Sequence, residues 1–303
     1  MVKKCVIALY LISLNALLLA QTDSTSSSVT SDSSSVITPS PSVEKGVNDY
    51  KTKGISVSPA HFHLNMKPGE VKTYKITIKN DTEKTEKFKV NTFDFNMDGK
   101  GKSSFISPGT GKYSLSKWLN VSPTFIEVAP GEKKEIKFTV NIPTDSTGNK
   151  AAWNIIMIEQ EEPRKKLEPP SQSDQTIALG VIPTFAFGVF VYQNPPNVSS
   201  NSVEITNFSK VAKNDSVNFI QIEAKNTGNG IAYCTSYVDL TNLNTGKQQR
   251  LMVKRFTIVP ELTRDFTFIL PKGLEKGKYL AIGVLDYEGS EEIQAAKMEF
   301  EIN

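Results

Sequence analysis

Ile-Ser-Val-Ser-Pro-Ala-His-Phe-His-Leu-Asn-Met-Lys-Pro-Gly-Glu, residues 55–70, returns in outline as Leu-Asn-Val-Ser-Pro-Thr-Phe-Ile-Glu-Val-Ala-Pro-Gly-Glu at residues 119–132. Each copy leads into an alternating stretch, Tyr74–Ile78 and Ile136–Val140, with apolar side chains at every second position. That period marks a half-buried strand. The unit therefore reads as a short strand, a Pro-Gly turn and a longer strand. Two such related hairpins are expected to cover one core from opposite sides, which is what a two-sheet sandwich needs.

Outward from the repeat, residues 55–192 read as strands throughout. Val71–Lys79, Phe88–Phe95 and Lys134–Ile142 alternate, and Ala152–Ile158 is a continuous apolar run. Asn80-Asp81, Asp98-Gly99, Pro108-Gly109 and Thr147-Gly148 punctuate them as turns. A proline-rich, basic segment, Glu161–Gln175, reads as a long loop. A long strand candidate follows, Thr176–Tyr192, with Pro183 inside it; proline cannot donate to a ladder, so an edge or a change of sheet is expected there. Gln193-Asn194-Pro195-Pro196-Asn197 reads as a hinge.

Beyond it, Val217–Ala224, Tyr233–Leu240, Arg255–Val259, Phe266–Leu270, Tyr279–Asp286 and Ala296–Ile302 are strands, with Gly-containing turns between them. The fold class is all-β: two consecutive immunoglobulin-like β-sandwich domains. The expected divisions are a signal peptide at 1–20, a Ser/Thr-rich disordered linker at 21–47, a first sandwich at 48–196 and a second at 197–303.

The leader rests on Lys3 and Lys4, the apolar run Cys5–Leu19, and Ala20 before Gln21. Its loss takes two lysines from a chain of formal charge +3, leaving it close to neutral, so no general attraction to nucleic acid or anionic membrane is expected. One cysteine, Cys234, then remains, and no internal disulfide can form. An exported chain without disulfides must rely on core size, which fits bacterial export. Cys234 lies among Ile231, Tyr233 and Tyr237 and reads as a buried, unreactive thiol. No terminal apolar anchor is expected.

His61 and His63 share a strand face, the spacing that offers two imidazoles to one metal, but no cysteine or carboxylate cluster adjoins them. They read as exposed side chains. Asp94-Phe95-Asn96-Met97-Asp98-Gly99 has the oxygen spacing of a calcium loop, yet Phe105 stands where the bidentate Glu belongs, and an Asp-Gly turn explains the same residues. No metal and no cofactor are expected. The sequence has no Gly-x-Ser-x-Gly, Walker or His-Glu-x-x-His motif, and no catalytic residue is assigned. The residues singled out for binding a partner are Ile177, Leu179, Val181, Phe185, Phe187 and Val189. A row of large apolar groups on an edge strand is a template for an added strand, or else part of the domain's own core. Tyr113, Trp118 and Trp153 are the candidates for stacking on a glycan.

Val57-Ser58-Pro59, Pro68-Gly69-Glu70 with Tyr74–Asn80, Trp118–Pro123, Pro130-Gly131-Glu132, the Trp153–Ile158 strand and the closing Val191-Tyr192-Gln193-Asn194-Pro195 carry a resemblance. Over residues 53–196 the chain resembles the first domain of the periplasmic pilus-chaperone (PapD-like) superfamily. Its two-domain order resembles exported bacterial proteins with a WxL-interacting, peptidoglycan-binding domain. In the chaperones an Arg on the first strand and a Lys on the last hold a subunit's carboxylate. The matching neighbourhoods here, Pro59-Ala60-His61 and Gly188-Val189-Phe190, contain neither. The resemblance implies a non-enzymatic binding, scaffold or chaperone-like protein of the bacterial envelope, at the periplasm or cell surface. The partner it implies is an exported protein docked by strand addition, with peptidoglycan or a surface glycan as the alternative ligand.

Overall fold

The computed structural model describes residues 54–161, 184–196, 198, 202–214, 217–288 and 293–302. The expected leader and linker lie outside the described residues, as do Ile177, Leu179, Val181 and Pro183. The first sandwich comprises β1 (Ile55–Ser58), β2 (His61–Leu64), β3 (Val71–Asn80), β4 (Glu86–Met97), β5 (Ser103–Ile106), β6 (Leu119–Ser122), β7 (Phe125–Val128), β8 (Lys133–Asn141), β9 (Ala152–Gln160) and β10 (Ala186–Gln193). One sheet runs β1-β3-β8-β6. The facing sheet runs β2-β10-β9-β4-β5, with β7 also pairing β4.

The repeat is present, but its geometry corrects the reading of two opposed hairpins. β1 and β6 lie in the first sheet while β2 and β7 lie in the second. In each copy the chain changes sheet at Ser-Pro, and both bonds, Ser58–Pro59 and Ser122–Pro123, are cis. Proline offers no N–H to a ladder, so pairing with one neighbour stops there. The longer strands β3 and β8 then pair with each other, from Val71 opposite Asn141 to Lys79 opposite Lys133. Each copy thus straddles both sheets instead of covering one.

The Pro-Gly turns close alike. The Glu70 N–H donates to the Lys67 carbonyl at 3.1 Å and the Glu132 N–H to that of Ala129 at 3.0 Å. Gly69 and Gly131 take φ of 81° and 74°, the left-handed position that a type II turn demands of its third residue. The glutamate carboxylates fold back to accept the N–H of Lys67 and Ala129 at 3.2 and 2.8 Å. Between the sheets, Ile76, Ile78, Phe88, Phe138, Ile156 and Val191 are among the side chains sealed from solvent.

The second sandwich comprises β11 (Val203–Asn214), β12 (Val217–Asn226), β13 (Ala232–Asn242), β14 (Gln248–Arg250), β15 (Lys254–Ile258), β16 (Thr263–Ile269), β17 (Gly277–Tyr287) and β18 (Gln294–Ile302). Its sheets run β11-β12-β16 and β14-β13-β17-β18, with β15 also pairing β13. The fold is all-β, two immunoglobulin-like sandwiches in succession, as the alternation indicated. Among the described residues only two short 3-10 turns are helical, Ser116–Trp118 and Ser146–Asn149. None is long and apolar enough to cross a membrane.

A buried carboxamide is used twice. Asn80 ends β3, and its Nδ2 donates to the carbonyls of Lys84 and Val128, both at 2.8 Å. Its Oδ1 accepts the Thr82 N–H at 2.9 Å, and its own N–H donates to the Glu132 carbonyl at 3.0 Å. Asn226 ends β12 in the same way. Its Nδ2 donates to Gly230 and Ile258, both at 2.8 Å, and its N–H to Leu262 at 2.9 Å. Each asparagine ties the end of one strand to the turn that launches its neighbour, β8 or β16. Removing the amide strands buried carbonyls, which cost about 1–3 kcal/mol each when left unmade. Asn80→Ala and Asn226→Ala are therefore each expected to lower the free energy of unfolding by about 2–4 kcal/mol in urea titrations, whereas Thr227→Ala, at an exposed neighbouring side chain, leaves the midpoint nearly unmoved.

Candidate functional site

β10 is the strand on which both sandwiches converge. It pairs with β9 along its whole length, Ala186 opposite Glu159 to Gln193 opposite Ala152. It pairs with β2, in parallel, only from Phe190 to Gln193. The N–H of Phe190 donates to Ala60 at 2.9 Å and that of Asn194 to Leu64 at 2.9 Å, while the Phe185 carbonyl accepts from Gln160 on the β9 side. Even-numbered residues therefore turn their main chain toward β2, and odd-numbered ones toward β9. Ala186 and Gly188 share the outward phase, and among the described residues no strand lies beside them.

The side chains singled out on this strand separate sharply. Phe185 is 66% exposed, Phe187 is half-buried against the first core, and Val189 is 1% exposed within it. Val189 is held by its own sandwich because odd positions of β10 point between the sheets. Phe185 is the one that faces solvent.

The even face of β10 meets the second sandwich. Phe190 and Tyr192 join Phe95, Trp153, Ile231 and Val259 in an aromatic cluster, with the rings of Phe95 and Phe190 edge-on at 5.2 Å. Residues 193–197, read as a hinge, begin with two clamps. The Gln193 carboxamide donates to the Met66 carbonyl at 2.7 Å and accepts its N–H at 3.2 Å. The Asn194 carboxamide does the same with Ile231, at 3.2 and 3.1 Å. Each amide imitates a strand neighbour, one within the first sandwich and one across to the second. Glu261 pairs with Lys112 and accepts the Tyr113 hydroxyl at 3.1 Å, and the Asp265 N–H donates to the Gly99 carbonyl at 2.8 Å.

A cleft of about 700 Å³ opens between the sandwiches, lined by His61, His63, Tyr192, Tyr233, Arg255 and Arg264 among others. The histidines share a face, as their spacing required, but each lies on an aromatic ring: His61 over Phe190 at 5.4 Å and His63 over Tyr233 at 3.9 Å. Among the described residues no group of three His, Cys, Asp or Glu is placed to hold a metal. Burial lowers the His63 pKa, against the pull of Glu288 and with the push of His61. Burial raises the Tyr192 phenol to about 12 and the Cys234 thiol to about 12, so the thiol is inert at neutral pH.

The calcium-like stretch is spent on structure. Asp94 is buried and accepts from the Gly111 N–H at 2.9 Å and the hydroxyls of Ser114 and Ser116 at 2.8 and 2.7 Å. Asp98 accepts the N–H groups of Lys100 and Lys102 at the hairpin turn. The aromatic trio does not form an open platform either. Trp153 is buried under Tyr113, with rings at 4.6 Å, and donates to the Phe95 carbonyl at 3.0 Å. Trp118 packs on the first core. Sequence reasoning missed Asn80, Asn194 and Asn226; for Asn80 and Asn226 an Asn closing an alternating strand was the available signal, and Asn194 follows an apolar strand that offers none.

Residues 47–156 match the family described as WxL Interacting Protein, peptidoglycan binding domain. That match, the resemblance expected from the Ser-Pro and Pro-Gly-Glu units, ends inside β9 and leaves out β10 and the second sandwich. No curated protein matches the sequence. Among solved structures, the chain is similar to the class 5 fimbriae chaperone CfaA, at 16% identity over 81% of this chain and 98% of that one, with a TM-score of 0.40. It is similar to the E. coli chaperone DraB at 14% identity, over 80% and 95% of the two chains, with a TM-score of 0.38.

A lowered folded-state pKa means that the unfolded chain takes up the His63 proton more readily, so this residue's contribution is complete above the ordinary value of 6.5 and is lost as pH falls through and below it. An NMR titration should place the His63 midpoint below 6.5, and Tyr233→Ala, which uncovers the ring, should move it upward. A wild-type midpoint at or above the ordinary value would show that burial does not outweigh the pull of Glu288.

Proposed function

We propose that this chain is a non-enzymatic binding protein of the bacterial envelope that docks a partner chain by adding a strand to the free edge of β10. The observation that carries this reading is the outward main chain of Ala186 and Gly188, beside which no strand lies among the described residues, next to an exposed Phe185. In strand addition the main chain supplies affinity and alternate side chains supply selectivity. Ile177, Leu179 and Val181 extend the same edge in this reading. The leader at 1–20 exports the chain, the linker at 21–47 tethers it, and the two sandwiches occupy 48–196 and 197–303. The family matched by residues 47–156 is described as a binding domain, which favours binding over catalysis.

Proline on an edge strand is tolerated where the N–H it removes faces outward. Ala186→Pro is therefore expected to melt like the wild type yet lose the species that a photo-crosslinker at Phe185 captures in the envelope. Unchanged capture by a folded Ala186→Pro chain would rule the edge out.

A second reading is favoured by the family match itself: the first sandwich binds peptidoglycan. The two are compatible, since one uses a strand edge and the other another surface of the same sandwich. With Trp153 covered and Tyr113 engaged on both Trp153 and Glu261, the glycan contact does not rest on that pair. Purified wall should sediment the full chain saturably, and Tyr113→Ala should sediment equally well. Sedimentation that never saturates, or none, would remove the wall reading while leaving the strand reading intact.

A further inference from the structure

β16 ends its sheet, and β15 lies at an edge of the opposite sheet beside β13. The two are consecutive and join through the turn at Val259–Leu262, so the second sandwich is open along this side. A trough of about 960 Å³ follows the opening. Its floor is aromatic: the rings of Phe256 and Phe266 lie 4.3 Å apart, with Phe219 beside them. Its walls are cationic, with Lys100, Lys254, Arg255 and Arg264 against Asp265 in the lining, and with Asp98 also near Arg264.

The main chain along this edge has a defined phase. The Leu270 N–H donates to Asn218 on β12, whereas the Asp265 N–H points the other way, to the Gly99 carbonyl. Antiparallel alternation then sends the main-chain groups of Thr267 and Ile269 outward as well. Gly99 already occupies the first outward position with a backbone contact. Thr267 continues the same edge into the trough, and Ile269, the next outward position of β16, is 64% exposed beyond it. Arg264, at the near end, donates through Nη1 to the outward-facing Thr257 carbonyl at 2.9 Å, while its Nε is buried with no partner among the described residues.

We propose that this trough is a second docking site, for an extended acidic peptide segment of another protein, which would pair with Thr267 and Ile269 and set its carboxylates against Lys254, Arg255 and Arg264. The occupant follows from the combination. A free strand edge asks for a backbone, the aromatic floor asks for apolar side chains, and the cations ask for negative charge. This site lies on the second sandwich, with Lys100 of the first at its wall, and stands apart from the outward positions of β10.

The test uses the full chain and a short labelled peptide alternating Glu and Val, with a Lys-Val peptide as its counterpart, read by fluorescence anisotropy. The acidic peptide should bind and the basic one should not. Thr267→Pro removes an outward N–H without touching the ladder to β12 and should weaken binding on the order of tenfold or more. Arg255→Glu, at an exposed side chain, gives an independent variant should the proline disturb folding, and should weaken binding comparably. Equal binding of both peptides, no binding of the acidic one, or full binding by both variants overturns the proposal. So does displacement by an acidic polysaccharide together with indifference to Thr267→Pro, because the trough would then be a charged surface for polyanions.

Discussion

Both faces of β10 are buried at its C-terminal end, and this constraint organises the molecule. Val189 and Val191 point into the first core while Phe190 and Tyr192 point at the second sandwich. No polar alternation is possible on such a strand, and Ala186–Gln193 accordingly reads as an almost unbroken apolar run. β9, its neighbour, obeys the same rule, with Ile156 and Ile158 on one side and Trp153, Ile155 and Met157 on the other. Close approach sets the remaining residue: a Cβ at Gly188 would meet Ile155 Cδ1 at 2.7 Å. The strand is thus fixed by packing on two faces and one edge. Among the described residues, the edge of β10 not reached by β2 has no strand beside it.

The same strand carries its grip past its own end. Gln193 and Asn194 are adjacent, so their side chains leave the backbone in opposite directions. One closes the first sandwich on Met66 and the other engages Ile231. Two peptide-like amides in sequence therefore transmit the strand's position to the second sandwich without a helix or a disulfide. The aromatic cluster supplies the buried area, and the amides supply direction. The cleft holding His61, His63 and Tyr233 is bounded by this joint, so its histidines, exposed as the alternation indicated, also stack on aromatic rings.

Much of this was legible from residue order. Alternation located β3, β8, β13 and β17 to within a few residues, because each has one face in a core and one largely toward solvent; β4 alternates over Glu86–Val90 and then turns Phe93 and Phe95 into the aromatic cluster. The Ser-Pro pairs were visible, but their consequence was not, since a missing N–H marks where pairing stops and not where the chain goes next. β11 went unread for a different reason. Register shifts between Ile205 and Asn207, near its start, and between Ala212 and Asn214, at its end, break the two-residue period. The trough was invisible in sequence because it joins Lys100 of one sandwich to Lys254 and Arg264 of the other. Asn80 and Asn226 looked like turn residues, and only burial reveals them as locks.

The turn before β16 shows how the joint bears on sequence choice. Val259-Pro260-Glu261-Leu262 repeats the geometry of the two Pro-Gly-Glu turns, with the Leu262 N–H closing on Val259 at 3.2 Å and the Asn226 N–H closing on Leu262. Where the first sandwich places Gly69 and Gly131, the second places a glutamate at φ 69°. A side chain in the left-handed region is strained, and glycine would relieve it. The ion pair with Lys112 is exposed on both partners, and pairs of that kind contribute little to stability. Stability of the turn therefore does not account for Glu261. What the residue provides and glycine cannot is reach: it meets both Lys112 and the Tyr113 hydroxyl on the other sandwich. Tyr113 in turn covers Trp153, whose indole is tied to Phe95. A strained residue on the second sandwich thus helps to close the lid over the aromatic cluster that fixes β10, and the strain is tolerated because the joint, not the turn, is what it holds.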